Sequence, residues 1–302
     1  MQLSVIIPTF GRDEIFARTI ESVRTALEGM EAEIIVVNDS EKELAVSGSE
    51  NLYVVRNPGK GAASARNAGA ARARGELLLF IDNDVIVSRA NILRVLELHK
   101  KYASAAFNFY WIYPPDLLQR LPSTKFGRFM LLKLIFSNSS RLRAEEKRSN
   151  EMLAKVNGLA SYFFSIGKAD FSRTGGYEER IPRAGVEDII LAKKMSSAGI
   201  AMYLSFSDVV FHNEADRLDL GSTMEVYRRA AQTRRAAVDM GHKELGVEMS
   251  TFKRMVYAVL LPFSGFFIFL SKITPNNKWF DPFYMKITGL LLGLSTYRGF
   301  YR

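Results

Sequence analysis

Residues 77–84 constrain this chain more than any other stretch. Leu77-Leu78-Leu79-Phe80-Ile81 runs directly into Asp82-Asn83-Asp84. Five apolar residues without alternation read as a strand buried on both faces, which calls for a sheet covered by helices. Such a strand has no packing use for two charges at its carboxyl end. Two carboxylates one residue apart can take a divalent cation through oxygen, and a cation there can hold a diphosphate. The same residues also fit a turn with two solvated aspartates, so their neighbours decide between the two.

The first third of the chain alternates strand and helix. Leu3–Ile7 reads as a strand ended by Pro8-Thr9, Asp13–Ala26 as a helix with Ile15, Phe16, Ile20 and Val23 near helical spacing, and Glu33–Val37 as the next strand. That strand stops at Asn38-Asp39-Ser40; Leu52–Val55 is a short strand and Ala62–Ala73 a helix of small residues. Alternation at these lengths predicts an α/β fold with a mostly parallel sheet. Ligands of such sheets sit beyond the carboxyl ends of the strands. Thr9, Asp39, Asp82 and Asp84 all fall there, which predicts one shared cleft.

Composition narrows the partners. The 302 residues hold no cysteine, so disulfides, thiolate metal sites and cysteine nucleophiles are excluded. The formal charge of +9 points to an anionic partner. The amino terminus lacks a basic n-region and meets Pro8 early, so it reads as the first strand of a cytoplasmic domain.

In the middle, an aromatic stretch at 105–116 precedes a mixed apolar and basic helix expected over Leu117–Ser137, with Pro122 as an early break and a charged loop at Arg141–Arg148. That helix fits packing on the sheet and equally a basic amphipathic surface on a membrane. In the tail, Met255–Leu270 is an almost unbroken apolar run and Ile287–Leu294 a second one. Seven basic residues of 251–302 face the single acid Asp281. The 16-residue run falls short of the roughly 20 needed to cross a bilayer. Basic flanks suit an anionic membrane surface. A membrane-associated helical hairpin over about 252–296 is expected, against the alternative of a buried helical pair.

Three further groups carry chemistry. Gly59-Lys60-Gly61 opens a helix containing Arg66-Asn67, where free N–H groups and two cations suit phosphate. Glu187-Asp188 opens another helix, after Gly175-Gly176-Tyr177-Glu178-Glu179; such acids serve as caps or as a general base. His212 ends an apolar strand and joins a metal shell only if that strand ends near Asp84. His99 and His242, on helical stretches, read as packed residues.

In order and spacing, these motifs resemble those of the family 2 glycosyltransferases with a GT-A fold. The resemblance runs over residues 3–215, from Val5-Ile6-Ile7-Pro8-Thr9-Phe10 through Asn38-Asp39-Ser40, Ala65-Arg66-Asn67-Ala68-Gly69 and Asp82-Asn83-Asp84 to Glu187-Asp188. It implies an inverting hexosyl-type transfer from a nucleotide-diphosphate sugar of UDP, GDP or dTDP type. Position by position, it implies that Pro8, Thr9, Phe10 and Asp39 line the nucleoside pocket, with Lys60, Arg66 and Asn67 near the donor. It further implies that Asp82 and Asp84, with His212, hold Mn²⁺ or Mg²⁺ on the diphosphate, and that Asp188 is the base with Glu187 beside it. Asn38-Asp39-Ser40 departs from the two aspartates and glycine of many members, which bears on nucleoside recognition. The expected division is a catalytic domain over 1–220, its donor half about 1–100 and acceptor half about 101–220, and a helical region over 221–302. A glycan or lipid-linked acceptor and the cytoplasmic face of a membrane, with peripheral or monotopic attachment, complete the expectation; nucleic acid does not figure in it. Two alternatives remain at this level: a sugar-nucleotide nucleotidyltransferase, and a non-catalytic basic peripheral membrane protein.

Overall fold

The computed structural model describes residues 1–44, 46, 50–133, 153–181 and 185–302. They fall into two units, Met1–Pro114 with Leu142–Asn213, and Pro115–Arg141 with Glu214–Arg302.

The first unit is one sheet between helices. Its strands are β1 (Leu3–Thr9), β2 (Ala32–Asn38), β3 (Leu52–Arg56), β4 (Leu77–Ile81), β5 (Val85–Ile86), β6 (Ala105–Ile112), β7 (Leu153–Lys155), β8 (Phe163–Gly167) and β9 (Ala201–His212). They are ordered β3-β2-β1-β4-β8-β6-β9-β5, with β7 also on β9. β3, β2, β1 and β4 are parallel throughout. Beyond β4 the directions mix: β8 runs antiparallel to β4 and β6, whereas β6 and β9 run parallel. The α/β class is as the sequence reads, with parallel pairing confined mainly to the amino-terminal half, where the strand–helix alternation is most regular.

Both faces are covered. Along β1 the period of two sends Val5 and Ile7 to one face and Ile6 to the other. The first face packs on α1 (Asp13–Leu27), through Phe16, Ile20 and Val23, and on α3 (Arg89–Lys101). The other packs on α2 (Gly61–Arg72) and on α6 (Glu187–Ser197), through Ala65, Leu191 and Met195. Small residues let α2 lie close to the sheet. At the amino-terminal strand ends, fully buried Glu33 accepts from Ser4 Oγ at 2.7 Å and Arg74 Nε at 3.0 Å. Burial works against its charge, but the bonds from Ser4 and Arg74 win and hold the carboxyl below its ordinary value. That end is locked by structure, which leaves the carboxyl end for ligands.

The second unit is helical. The single helix expected over Leu117–Ser137 is two: α4 (Pro115–Arg120), then a 3₁₀ turn, Leu121–Ser123, then a helical stretch at 125–133. Pro122 cannot donate to the helix ladder and forces the break. Positions 134–137 and the loop Arg141–Arg148 lie outside the described residues. Lys168–Thr174 (α5) belongs to the first unit; Leu220–Asp239 (α7), Thr251–Leu260 (α8), Ser264–Ile273 (α9) and Asp281–Tyr301 (α10) to the second. The apolar run proves longer than its composition suggested. α8 and α9, joined by the turn Leu261–Phe263, make one helix of 23 residues, Thr251–Ile273, which holds an 18-residue window of mean hydropathy 1.8. Pro262 therefore turns this run without ending it. By length and composition it is the one described helix able to cross a membrane. The second run behaves differently, since Ile287, Leu291, Leu292 and Leu294 of α10 are buried. Arg128 pairs with Asp281 at 2.6 Å and ties the 125–133 stretch to the start of α10.

Candidate active site

The carboxyl ends of β1, β2 and β4 converge as the topology requires. Asp39 sits just past β2, and its N–H donates to Thr9 O at 2.8 Å. Its carboxylate accepts from Asn57 Nδ2 at 2.6 Å and from the Gly61 N–H at 2.9 Å. Gly61 has φ +86°, a conformation that costs glycine little. Asp39 thus holds the loop that opens α2 and presents Lys60, which is exposed. Asn83 reaches back from the aspartate turn to Thr9 Oγ1 at 3.0 Å. Pro8 is buried, whereas Phe10 stands 69% exposed beyond the strand.

Asp84 and His212 meet because β5 pairs with the end of β9 in the register Val85 to His212. His212 Nε2 lies 3.0 Å from Asp84 Oδ1. The imidazole is set edge-on to Trp111 at 5.0 Å and stacked near Tyr162 at 6.1 Å. On its other oxygen Asp84 pairs with Arg12 Nη1. Burial opposes its charge, yet His212 and Arg12 hold the Asp84 carboxyl well below the usual carboxylate range. Arg12 is reached through two successive left-handed residues, Gly11 (φ +66°) and Arg12 itself (φ +65°). A non-glycine residue there stores strain of about 1–3 kcal/mol, which is typical of functional sites.

Arg66 joins the two acid clusters. It is 4% exposed, and its guanidinium donates from Nη2 to Asp82 Oδ1 at 2.6 Å and from Nη1 to Glu187 Oε1 at 3.1 Å. Its face lies 5.3 Å from the Tyr177 ring. Burial disfavours the cation, but Asp82, Tyr177 and Glu187 outweigh it and raise the pKa above the ordinary arginine value. Glu187 also accepts from the N–H groups of Gly185 and Val186, at 2.6 and 3.0 Å. Asp82 and Glu187, 105 positions apart, are therefore one guanidinium apart in space. Beside Glu187, Asp188 is pushed up to about 6, first by burial and then by the charge of Glu187. A carboxylate held near that value can accept a proton close to neutrality.

Asn67, one residue on, turns to the other side. Its Oδ1 accepts from the Tyr177 N–H at 2.9 Å, and its Nδ2 donates to Tyr177 O at 2.9 Å and Glu179 Oε1 at 2.7 Å. It clamps the Gly175-Gly176 turn, and a Cβ on Gly176 (φ +70°) would come within 2.6 Å of that oxygen.

Two carboxylates and one imidazole, those of Asp82, Asp84 and His212, are donor types that Mn²⁺ or Mg²⁺ accepts. As they stand, no three His, Asp or Glu groups among the described residues converge to hold one. Arg12 and Arg66 supply the positive charge next to both aspartates.

The sequence profile of glycosyl transferase family 2 matches residues 4–168, more than half of the chain. The chain belongs to glycosyl transferase family 2. Among relatives of this family 2 chain, the validoxylamine A glucosyltransferase of Streptomyces hygroscopicus subsp. limoneus is 28% identical over 227 residues, covering 67% of this chain and 49% of that protein. The minor teichoic acid biosynthesis protein GgaB of Bacillus subtilis (strain 168) is 31% identical over 109 residues, covering 32% of this chain and 12% of that protein. The family 2 chain spans about half the length of the Streptomyces relatives it matches. Its fold is similar to that of the mannosyltransferase PcManGT from Pyrobaculum calidifontis, with TM-score 0.57 at 12% identity, over 98% of this chain and 86% of that one.

Sequence reasoning missed Arg12, Asn57, Trp111 and Tyr162 in this family 2 site. Arg12 carried one readable signal, a glycine followed by arginine between a strand end and the acids that open a helix. The other three depend on tertiary neighbours, which spacing does not encode. His242 lies in the turn after α7 and not on a helix, its Nδ1 3.7 Å from Glu244. His99 packs edge-on to Phe107, bonded to Ser165 at 3.0 Å, and burial pulls it down to about 4.

Proposed function

We propose that this chain transfers a sugar from a nucleotide-diphosphate donor to an acceptor hydroxyl, with inversion at the anomeric carbon. The observation that carries this reading is the Arg66 link between Asp82 and Glu187, which joins two acid clusters that are distant in sequence. Asp188 takes the proton of the acceptor hydroxyl as its oxygen bonds to the anomeric carbon. The bond from that carbon to the diphosphate breaks, and the electron pair leaves with the diphosphate. A base near pH 6 suits the task, because it is charged at neutral pH yet basic enough to receive the proton in the transition state. Glu187 and Arg66 position that base and the Asp82 carboxylate. Asp39 stands beside the nucleoside with Thr9 buried behind it, and Lys60 stands at the helix start where phosphate binds. Asp82, Asp84 and His212 would hold a divalent cation, which when bound stabilises charge on the leaving diphosphate.

The solved mannosyltransferase was captured with GDP-Man and Mn²⁺, which supports a nucleotide-sugar donor and a divalent cofactor here. Teichoic acid biosynthesis, in the name of GgaB, supports a lipid-linked or surface-polysaccharide acceptor. The exposed apolar helix Thr251–Ile273 supports membrane attachment; peripheral or monotopic placement at the cytoplasmic face completes the proposal. Family membership weighs against nucleotidyl transfer. The test is turnover of UDP-, GDP- and dTDP-sugars with and without Mn²⁺, in wild type and Asp188→Asn. Loss of turnover with retained nucleotide binding is expected of the variant. Near-normal turnover would remove Asp188 from the reaction.

A further inference from the structure

The helix Thr251–Ile273 has two unlike faces. Phe252, Met255, Val259, Phe263, Phe266 and Phe269, spaced by three or four, are each more than half exposed. This spacing puts them on one stripe along the rod. The opposite face is covered within its own unit: Ser271 is buried, and the Tyr257 ring lies edge-on to Tyr297 of α10 at 6.0 Å. A second stretch follows the rod, where Trp279 is 89% exposed beside half-exposed Phe280 and Phe283. An apolar stripe this long on a single unit is a docking face.

Charge identifies what docks. The unit made of residues 115–141 and 214–302 has 18 Lys and Arg against 9 Asp and Glu, whereas the sheet unit has 23 of each. The whole excess of +9 therefore belongs to the unit with the stripe. Lys253 and Arg254 flank one end of the rod, and Lys272 and Lys278 the other. A second copy of this chain would bring like charge against like. An anionic lipid surface complements both the stripe and its rim.

The packing also decides how deep the rod goes. Lys125 Nζ donates to the carbonyls of Lys272 and Thr274, and Arg128 pairs with Asp281, so the rod's carboxyl end is tied to polar groups. α10, beside the rod, carries Lys286 and Arg298 and packs on α7, which holds Arg228, Arg229, Arg234 and Arg235. A crossing rod would drag these charges toward hydrocarbon, where each is costly.

We infer that residues 251–283 form a monotopic face that lies in the plane of an anionic bilayer, immersing one stripe without crossing. The inference rests on the membrane location proposed above and is independent of the transfer chemistry. Trp279 acts as the interfacial anchor and the lysines as headgroup contacts.

The absence of cysteine makes the test direct, since single cysteines introduced along 252–269 in the full chain take a spin label at one site each. Vesicles of phosphatidylcholine, with and without phosphatidylglycerol, are the probe. Partitioning at least about tenfold stronger with phosphatidylglycerol is expected, lost in F263D/F266D. Label depth should oscillate with a period of about 3.6 residues, shallow at M255C, V259C and F263C and absent at L261C and I268C. A depth that rises to one maximum near residue 262 and falls again would establish a crossing and overturn the inference. So would wild type that ignores both vesicles, F263D/F266D that binds like wild type, or a lipid-free dimer that F263D/F266D dissolves. Vesicle binding without sugar transfer would refute the transferase reading and leave this one standing; transfer to a soluble acceptor without vesicle binding would do the reverse.

Discussion

Arg66→Met tests the link on which the site depends. The substitution keeps bulk and removes the cation that Asp82 and Glu187 share. Removing one partner of a buried ion pair costs about 3–5 kcal/mol, because a charge is left uncompensated. The two acids differ in how far they recover. Asp82 keeps 31% of its side chain exposed and regains water, whereas Glu187 keeps 8% and retains only the N–H groups of Gly185 and Val186. The low end, about 3 kcal/mol, is therefore expected in urea unfolding at pH 7. A second readout separates this role from mere packing. Arg66 lowers the pKa of Asp188 while burial and Glu187 raise it, so losing the cation moves Asp188 above its value of about 6. The acid limb of kcat/KM against pH should then shift to higher pH. A variant within about 1 kcal/mol of wild type, with an unmoved acid limb, would refute the link.

Glu187→Gln removes the like charge beside Asp188 and should move the same limb to lower pH, opposite to Arg66→Met; matching shifts would contradict the electrostatic account. Asp188→Asn should abolish turnover yet stabilise the fold at neutral pH. The native carboxyl has a raised pKa, so it binds its proton before the unfolded chain does, and its charge costs stability above about pH 6. The gain should fade on acidification and vanish below about pH 4, where both states are protonated, and denaturant curves across that window check it. Gly176→Ala forces a Cβ against Asn67 in a left-handed turn and should cost about 1–3 kcal/mol, read as a lowered urea midpoint; an unchanged midpoint would mean that the clamp is slack. Asp84→Asn leaves Arg12 and His212 without their shared anion. It should weaken Mn²⁺-dependent donor binding in a titration, and equal donor affinity with and without the ion in wild type would remove the metal from the proposal.

Much of the fold was legible because it repeats a short-range rule. Each strand from β1 to β4 ends its apolar run at polar residues, and Thr9, Asp39, Asp82 and Asp84 could be placed at one edge from that rule alone. The acid pair Glu187-Asp188 was legible as a helix start. That it faces Asp82 followed from the family resemblance and not from spacing, because the link runs through Arg66, which the sequence offered only as a donor-side cation. Its depth in the fold, 4% exposed, comes from α6 packing against α2, a tertiary fact. Asn67 likewise looked like a ligand group, and its amide serves Tyr177 and Glu179. Arg12 went unread because a left-handed arginine is improbable on propensity, and the bond to Asp84 overrides propensity. In the tail, periodicity within Met255–Leu270 marked an apolar helix, but only packing could separate the open face of that rod from the closed α10.

Arg128 and Asp281, which clasp the helical unit, are 153 positions apart. On a ribosome adding about 5–20 residues per second, the first partner waits many seconds for the second. During that wait the last strand of the sheet, β9, emerges. The exposed apolar stripe is thus completed only after every strand of the sheet has been made, so the order of synthesis delays the greasy part of the molecule until the sheet is available.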